Sequence, residues 1–200
     1  MTNIPNVISN CCAGGYLYQK LNISYGNPFI WCAIVPSDFI YLYQHFDEIN
    51  FANITLSHSN MHGQDDIEKL RVDNLIDIHY THYRLSLLDE IPRKAGLDLF
   101  YKYSYKYVVA KYRERLQRMT TSCGKPKFII CDNKVDLDWS IENFKTLCSV
   151  NRQYPIIIFS DKDLSCLKIP NHIVVIKQSG FFHDLCIDEN YNFIKQWVTI

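Results

Sequence analysis

Lys127-Phe128-Ile129-Ile130-Cys131-Asp132-Asn133 decides the fold: after Lys127 every residue is apolar up to a polar Asp-Asn end. A run apolar on both faces suits an inner strand of a parallel sheet, whereas a strand with one wet face alternates. Two similar runs follow. Residues 154–159 (Tyr-Pro-Ile-Ile-Ile-Phe) end at Ser160-Asp161, and residues 172–177 (His-Ile-Val-Val-Ile-Lys) form the third. Between the first two, Trp139, Phe144, Leu147 and Cys148 recur at roughly helical spacing within residues 139–150. This alternation predicts an α/β fold, with a mainly parallel, Rossmann-like (doubly wound) sheet of about five strands and helices on both faces.

Working back towards the N-terminus, residues 6–9 read as the opening strand and 15–21 as its following helix. Residues 36–46 read as a helix with Pro36 in the first turn and Ser37 or Asp38 near its start. Residues 52–56 and 75–80 read as strands, the second alternating enough to lie near an edge. Residues 105–119 read as a long helix, apolar along Val108, Val109, Tyr112, Leu116 and Met119, with Lys111, Arg113, Arg115 and Arg118 on the other side. The expected organisation is one α/β domain over 1–200 with irregular insertions near 57–66 and 88–104.

Composition narrows the function classes. Lys plus Arg equals Asp plus Glu at 21 each, so no overall charge favours nucleic acid or an anionic membrane. The N-terminus lacks a signal-peptide layout and no apolar run reaches the length of a membrane span, so a soluble cytoplasmic protein is expected. The eight cysteines show neither a C-x-x-C pair nor His/Cys ligand spacing, which argues for reduced thiols and against structural zinc.

The chemistry is expected at the carboxyl ends of the strands, where loops and helix N-termini converge. That rule collects Asn10, Cys11 and Cys12, then His79 and His82, then Asp132 and Asn133, then Ser160 and Asp161. A cysteine at the start of a helix gains from the unpaired N–H groups and positive dipole end, which favour a thiolate. Cys12 is the better nucleophile, because Cys11 would more naturally finish the strand. The Gly14 and Gly15 amides are candidate oxyanion donors. His79 and His82, three residues apart, share a site only if the strand ends between them, and either is a candidate base. Asn10, Arg115, Arg118, Asp132 and Asp161 are the candidate substrate-binding residues, the arginines as an anion clamp. His183 is a further, late candidate, and no metal site is expected. For each cysteine and histidine the competing reading is a packed structural residue.

These residues also carry a family likeness. Ile8-Ser9-Asn10-Cys11-Cys12-Ala13-Gly14-Gly15, Asn27-Pro28-Phe29, Pro36-Ser37-Asp38-Phe39-Ile40, Asp77-Ile78-His79-Tyr80-Thr81-His82-Tyr83 and the Arg115/Arg118 helix resemble, in order and spacing, an uncharacterised DUF1919-like bacterial family associated with exopolysaccharide and capsule biosynthesis. The likeness runs to about Asp161. Family members show two asparagines before the cysteine and an aromatic after it; here Cys11 and Ala13 take those places, and the register to Pro28-Phe29 makes Cys12 the family cysteine. Pro28-Phe29-Ile30-Trp31 is similar to the Pro-Phe-Asp-Trp element of a neighbouring family of papain-like cysteine peptidases, with Ile30 in place of the acid. A looser similarity links the chain to a capsule-biosynthesis family that binds coenzyme A and transfers acetyl groups.

What these resemblances imply is a cysteine-dependent site linked to surface glycans, and none of them fixes a reaction. Joined to the Cys12, histidine and glycine pattern, the expected function is a cysteine-dependent acyltransferase or hydrolase of surface-polysaccharide assembly. A carbohydrate or acyl-donor small molecule would be its partner, coenzyme A its donor, and Arg115 and Arg118 the holders of a phosphate. Two other readings stand beside it. One is a metal-dependent glycosyl- or phosphoglycosyl-transferase using an Asp132/Asp161 rim. The other is a non-catalytic glycan-binding module built on the 14 Tyr and 11 Phe.

Overall fold

The computed structural model describes residues 6–30, 32–59, 67–79, 97–121, 124–132, 138–178 and 183–199. Four strands, β1 (Val7–Ser9), β5 (Lys127–Cys131), β6 (Ile156–Ser160) and β7 (Ile173–Lys177), form a parallel sheet in the order β1-β5-β6-β7. A separate antiparallel sheet holds β2 (Ile54–Ser59), β3 (Ile67–Val72) and β4 (Ile76–His79) in the order β2-β3-β4. The helices are α1 (Ala13–Leu21), α2 (Pro36–His45), α3 (Leu97–Thr121), α4 (Ile141–Ser149), α5 (His183–Glu189) and α6 (Tyr191–Thr199).

The α/β class and the parallel sheet agree with the sequence. The expected single doubly wound sheet of five strands does not. Residues 76–79 pair antiparallel with β3 in the second sheet, and the parallel strand order proceeds in one direction without a reversal. The strand β3 falls in charged sequence and was not anticipated, and α3 begins at Leu97, inside the stretch expected to be irregular.

The alternation of side chains along a strand divides the core in two. Val7, Ile129, Cys131, Ile157 and Phe159 face one side, packing with Leu17 and Tyr18 of α1, Ile187 of α5 and Ile194 and Val198 of α6. Ile8, Phe128, Ile130, Ile156 and Ile158 face the other, packing with Phe39 and Tyr43 of α2, Tyr112 of α3, Phe144 and Leu147 of α4, and Leu70, Val72, Ile76 and Ile78 of the antiparallel sheet. Both faces of β5 and β6 are therefore covered, whereas β7, the last strand in the order, is only partly buried after Ile173.

Local chemistry sets the helix ends. Ser140 caps α4 through a reciprocal pair with Asn143: its Oγ accepts from the Asn143 amide, and the Asn143 Oδ1 accepts from the Ser140 amide. Pro36 occupies the first position of α2, but Val35 is the capping residue; Asp38 Oδ2 instead accepts the Asp77 amide at 2.9 Å, tying α2 to β4. At the other end of the sheet, Lys127 Nζ donates to the carbonyls of Trp197 (2.6 Å) and Val198 (3.1 Å), satisfying the last turn of α6.

Phe128 is the aromatic centre of the larger core. Its ring lies 5.8 Å from Phe39, 5.0 Å from Tyr43, 5.9 Å from Phe46 and 5.8 Å from Tyr154. Phe128→Ala is expected to lower unfolding stability by about 3–5 kcal/mol, because packed rings on four sides cannot collapse into the space. Urea denaturation checks this: the midpoint falls with the slope unchanged, and a loss under about 1 kcal/mol would contradict it.

Candidate active site

The site is built where β1 stops. In the β1–β5 register, Val7 lies opposite Lys127 and Ser9 opposite Ile129, so odd-numbered residues of β5 bond to β1. The Lys127 amide donates to Asn6 and the Asn10 amide to Ile129. The next two rungs would need the Asn10 carbonyl and the Cys12 amide. The Asn10 side chain supplies both instead: its Oδ1 accepts from the Cys131 amide at 2.9 Å, and its Nδ2 donates to the Cys131 carbonyl at 3.0 Å. The Asn10 carbonyl is thereby released to accept from the Ile34 amide at 2.9 Å. Cys12 is released from the ladder to begin α1.

Cys11 and Cys12 occupy the turn. Cys11, expected to finish the strand, lies beyond it, with both its backbone groups held by Ser9: the amide donates to Ser9 Oγ at 3.2 Å and the carbonyl accepts from it at 2.8 Å. Cys12 is the N-cap residue of α1 with φ −64° and ψ −10°, and its side chain makes no cap hydrogen bond. The first helical bond runs from the Tyr16 amide to the Cys12 carbonyl. The amides of Ala13, Gly14 and Gly15 therefore precede the helical ladder and belong to the electropositive end of the helix. Gly14 has a packing reason as well. A Cβ there would stand 3.1 Å from Ser9 Cβ, a tight contact, and 3.5 Å from Ile30 Cδ1, so glycine lets the helix start lie close against β1 without displacing Ser9.

The thiol is not acidic in this state. Cys12 is 8% exposed. Burial, then the neighbouring Cys11 thiol, push it up to about 12, against a smaller lowering by its own backbone amide. Desolvation thus outweighs the helix dipole, correcting the expectation of a resting thiolate. Cys32, wholly buried, is also raised well above the ordinary thiol value, by burial and by Cys12 and Cys11, with Arg115 opposing. On the α1 side of the sheet the Cys131 thiol meets those of Cys11 and Cys186 and is raised likewise, by those contacts and by burial.

The remaining candidate residues fall in different places. His79 ends β4, a strand of the antiparallel sheet and not of the parallel one, and its side chain lies outside the described residues. His82 and Asn133 also lie outside them. His183 begins α5, its side chain likewise outside the described residues. Arg115, expected on the outer face of its helix, is 7% exposed; Nη1 donates to the Ile30 carbonyl at 3.2 Å and the guanidinium lies 4.7 Å from the Tyr25 ring centroid. Arg118 donates to the Tyr25 carbonyl at 3.1 Å and pairs with Glu114. The two arginines hold the carbonyls of Tyr25 and Ile30, and the Ile30 side chain lies beside Gly14 in the first turn of α1.

Asp132 is turned inward, with its side chain 0% exposed. Its carboxylate accepts from the Trp139 amide (3.0 Å), Ser160 Oγ (2.7 Å) and Lys162 Nζ (2.7 Å). Lys162 also reaches Asp138 at 2.8 Å, and these two carboxylates raise its pKa against the opposing effect of burial. A carboxylate so fully engaged braces the β5 and β6 ends and offers no open face for substrate. Asp161, next to it, is partly exposed at that rim. Ser9, Cys32 and Lys162 were not singled out in the sequence; the Ser-Asp-Lys at the end of β6 was the visible signal for the last.

Among the described residues, no three His, Cys, Asp or Glu side chains are grouped to hold a metal ion, and no helix is long and apolar enough to cross a membrane. An open groove of about 520 Å³, lined by 150–153 and 170–172, lies at the amino ends of β6 and β7, away from the Cys12 turn.

A buried turn of this kind, with a cysteine heading a helix at a strand end, defines a candidate thiol site in an α/β protein. Residues 2–90 match the model of a domain of unknown function (DUF1919), a span that includes the Cys12 turn, α2, the antiparallel sheet and both candidate histidines but stops short of Arg115, Arg118, Asp132 and Asp161. No curated protein matches the chain.

A thiol raised to about 12 has little thiolate at neutral pH, so ligand-free alkylation of Cys12 is expected to rise about tenfold per pH unit between about pH 7 and 10 without levelling. Iodoacetamide labelling followed by peptide mass mapping reads this directly. A plateau below about pH 8 would show an acidic thiol and contradict the burial argument.

Proposed function

We propose that this protein is a cysteine-dependent acyl-transferring enzyme, with Cys12 as nucleophile, acting on a carbohydrate or acyl donor in bacterial surface-polysaccharide assembly. The observation that carries the reading is the placement of Cys12 as N-cap of α1 at the carboxyl end of β1, with the amides of Ala13, Gly14 and Gly15 preceding the helical ladder. The glycan context comes from the family resemblance, whose central residues lie in the matched span.

The chemistry follows from the buried thiol. Because Cys12 rests protonated, attack requires a base that removes the proton as the S–C bond forms, and a histidine of the 79–82 segment takes that role. Sγ adds to the donor carbonyl carbon, and the carbonyl oxygen becomes an oxyanion held by first-turn amides. Collapse expels the donor's leaving group, which takes the proton from the histidine, and leaves a thioester on Cys12. A glycan hydroxyl then receives the acyl group, or water does in hydrolysis, restoring the thiol. A coenzyme A thioester is the proposed donor class. With the Asp132 carboxylate already neutralised by Lys162, a metal-held glycosyl transfer at that rim finds less support.

Incubation with acetyl-coenzyme A followed by intact-mass and peptide mapping is expected to trap an acetyl group on Cys12. Cys12→Ser and Cys12→Ala should reduce turnover of an active donor by about a thousandfold or more. Full transfer by Cys12→Ser, or an acyl group carried only on another residue, would remove covalent catalysis by this thiol.

A further inference from the structure

We propose that Ser9 is a positioning residue for the Cys12 nucleophile, an inference that rests on the acyl-transfer reading. Ser9 is completely buried and its hydroxyl makes two backbone bonds to one residue, accepting from the Cys11 amide at 3.2 Å and donating to the Cys11 carbonyl at 2.8 Å. A hydroxyl can do both at once, having one donor and two acceptor directions. Its Oγ is also 3.6 Å from Cys11 Sγ. The consequence is a local turn closed on the side chain, which satisfies both Cys11 backbone groups on the side facing away from β5 and turns the chain out of the sheet where β1 ends.

Ser9 also lies close to Gly14, two residues after Cys12. Its Cβ stands 3.1 Å from where a Cβ on Gly14 would be, so the first turn of α1 lies directly on it. The residue before Cys12 is bonded to Ser9 and the helix turn after it rests on Ser9. Cys12 is thus fixed between two contacts with one buried side chain. Asn10 adds the third constraint by holding the strand end against Cys131. Rigid support of this kind holds a reacting atom in place while the rest of a site forms around it.

The test is Ser9→Ala against Ser9→Thr, which keeps the hydroxyl, with alkylation by iodoacetamide followed at individual cysteines in the full chain. Loss of the two bonds should make local opening of the turn easier and speed labelling of Cys12 by about tenfold in Ser9→Ala. Its pH dependence should shift towards that of an ordinary thiol as the sulfur meets water. Cys148 and Cys166, on and beyond α4 and β6, should label as in the wild type, and Ser9→Thr should restore the wild-type rate and pH dependence at Cys12. Three outcomes would overturn the assignment: an unchanged Cys12 rate, an equal rise at every cysteine, or loss of the fold in Ser9→Ala, which would make the hydroxyl a general folding determinant. No acyl donor enters this assay. A failure of the acyl-transfer reading would appear instead as undiminished transfer by Cys12→Ser.

Discussion

The constraint on which the rest depends is the side chain of Asn10 standing in for a peptide group. A parallel strand that ends against a buried neighbour leaves an amide and a carbonyl without partners, and burying them so costs on the order of 1–3 kcal/mol each. Asn10 meets both on Cys131 with one carboxamide, at 2.9 and 3.0 Å. The β5 strand can therefore continue to Cys131 while β1 has already stopped at Ser9. That mismatch in strand length is what opens a place at the sheet edge for two cysteines and a helix start.

The surroundings of the turn are correspondingly dry. Cys12, Cys11, Cys32 and Cys131 are all buried, and burial helps to push the Cys12, Cys32 and Cys131 thiols above the ordinary range. Low polarity keeps the sulfur protonated and protects it from adventitious oxidation, since the thiolate is the reactive form. It also strengthens any hydrogen bond from a helix amide to charge that develops during reaction. A site arranged this way is quiet without substrate and depends on a base to start. The Arg115 and Arg118 contacts to the Ile30 and Tyr25 carbonyls fix the segment whose Ile30 side chain lies beside Gly14, which gives these arginines a structural task near the thiols.

Much of the parallel sheet was legible because Phe128, Ile129 and Ile130, and Ile156, Ile157 and Ile158, are apolar on both faces, a pattern that only a doubly covered strand demands. The turn at Cys12 was legible from Asn, Cys and Gly at a strand end. Other features depended on tertiary partners that local sequence does not name. Strand β3 carries Arg71 between Leu70 and Val72, and its charge is met by Asp77 across the hairpin at 2.7 Å. The assignment of β4 to the parallel sheet failed because its apolar alternation is the same in either sheet. Arg115 was read as outward by its charge, although it falls three residues after Tyr112 and four before Met119, on the buried side of α3. The acidity of Cys12 is not legible locally, because the desolvation that outweighs the helix dipole comes from the covered sheet edge.

The most direct measurement is native-state amide hydrogen exchange at Cys131 in the wild type and in Asn10→Ala. If the carboxamide serves as the last rung of the sheet, the Cys131 amide is protected like those of the β5 interior, and the substitution lowers its protection by about tenfold or more while Ile157 and Val174 keep theirs. A Cys131 amide that exchanges at the same rate with and without the Asn10 side chain would contradict the account.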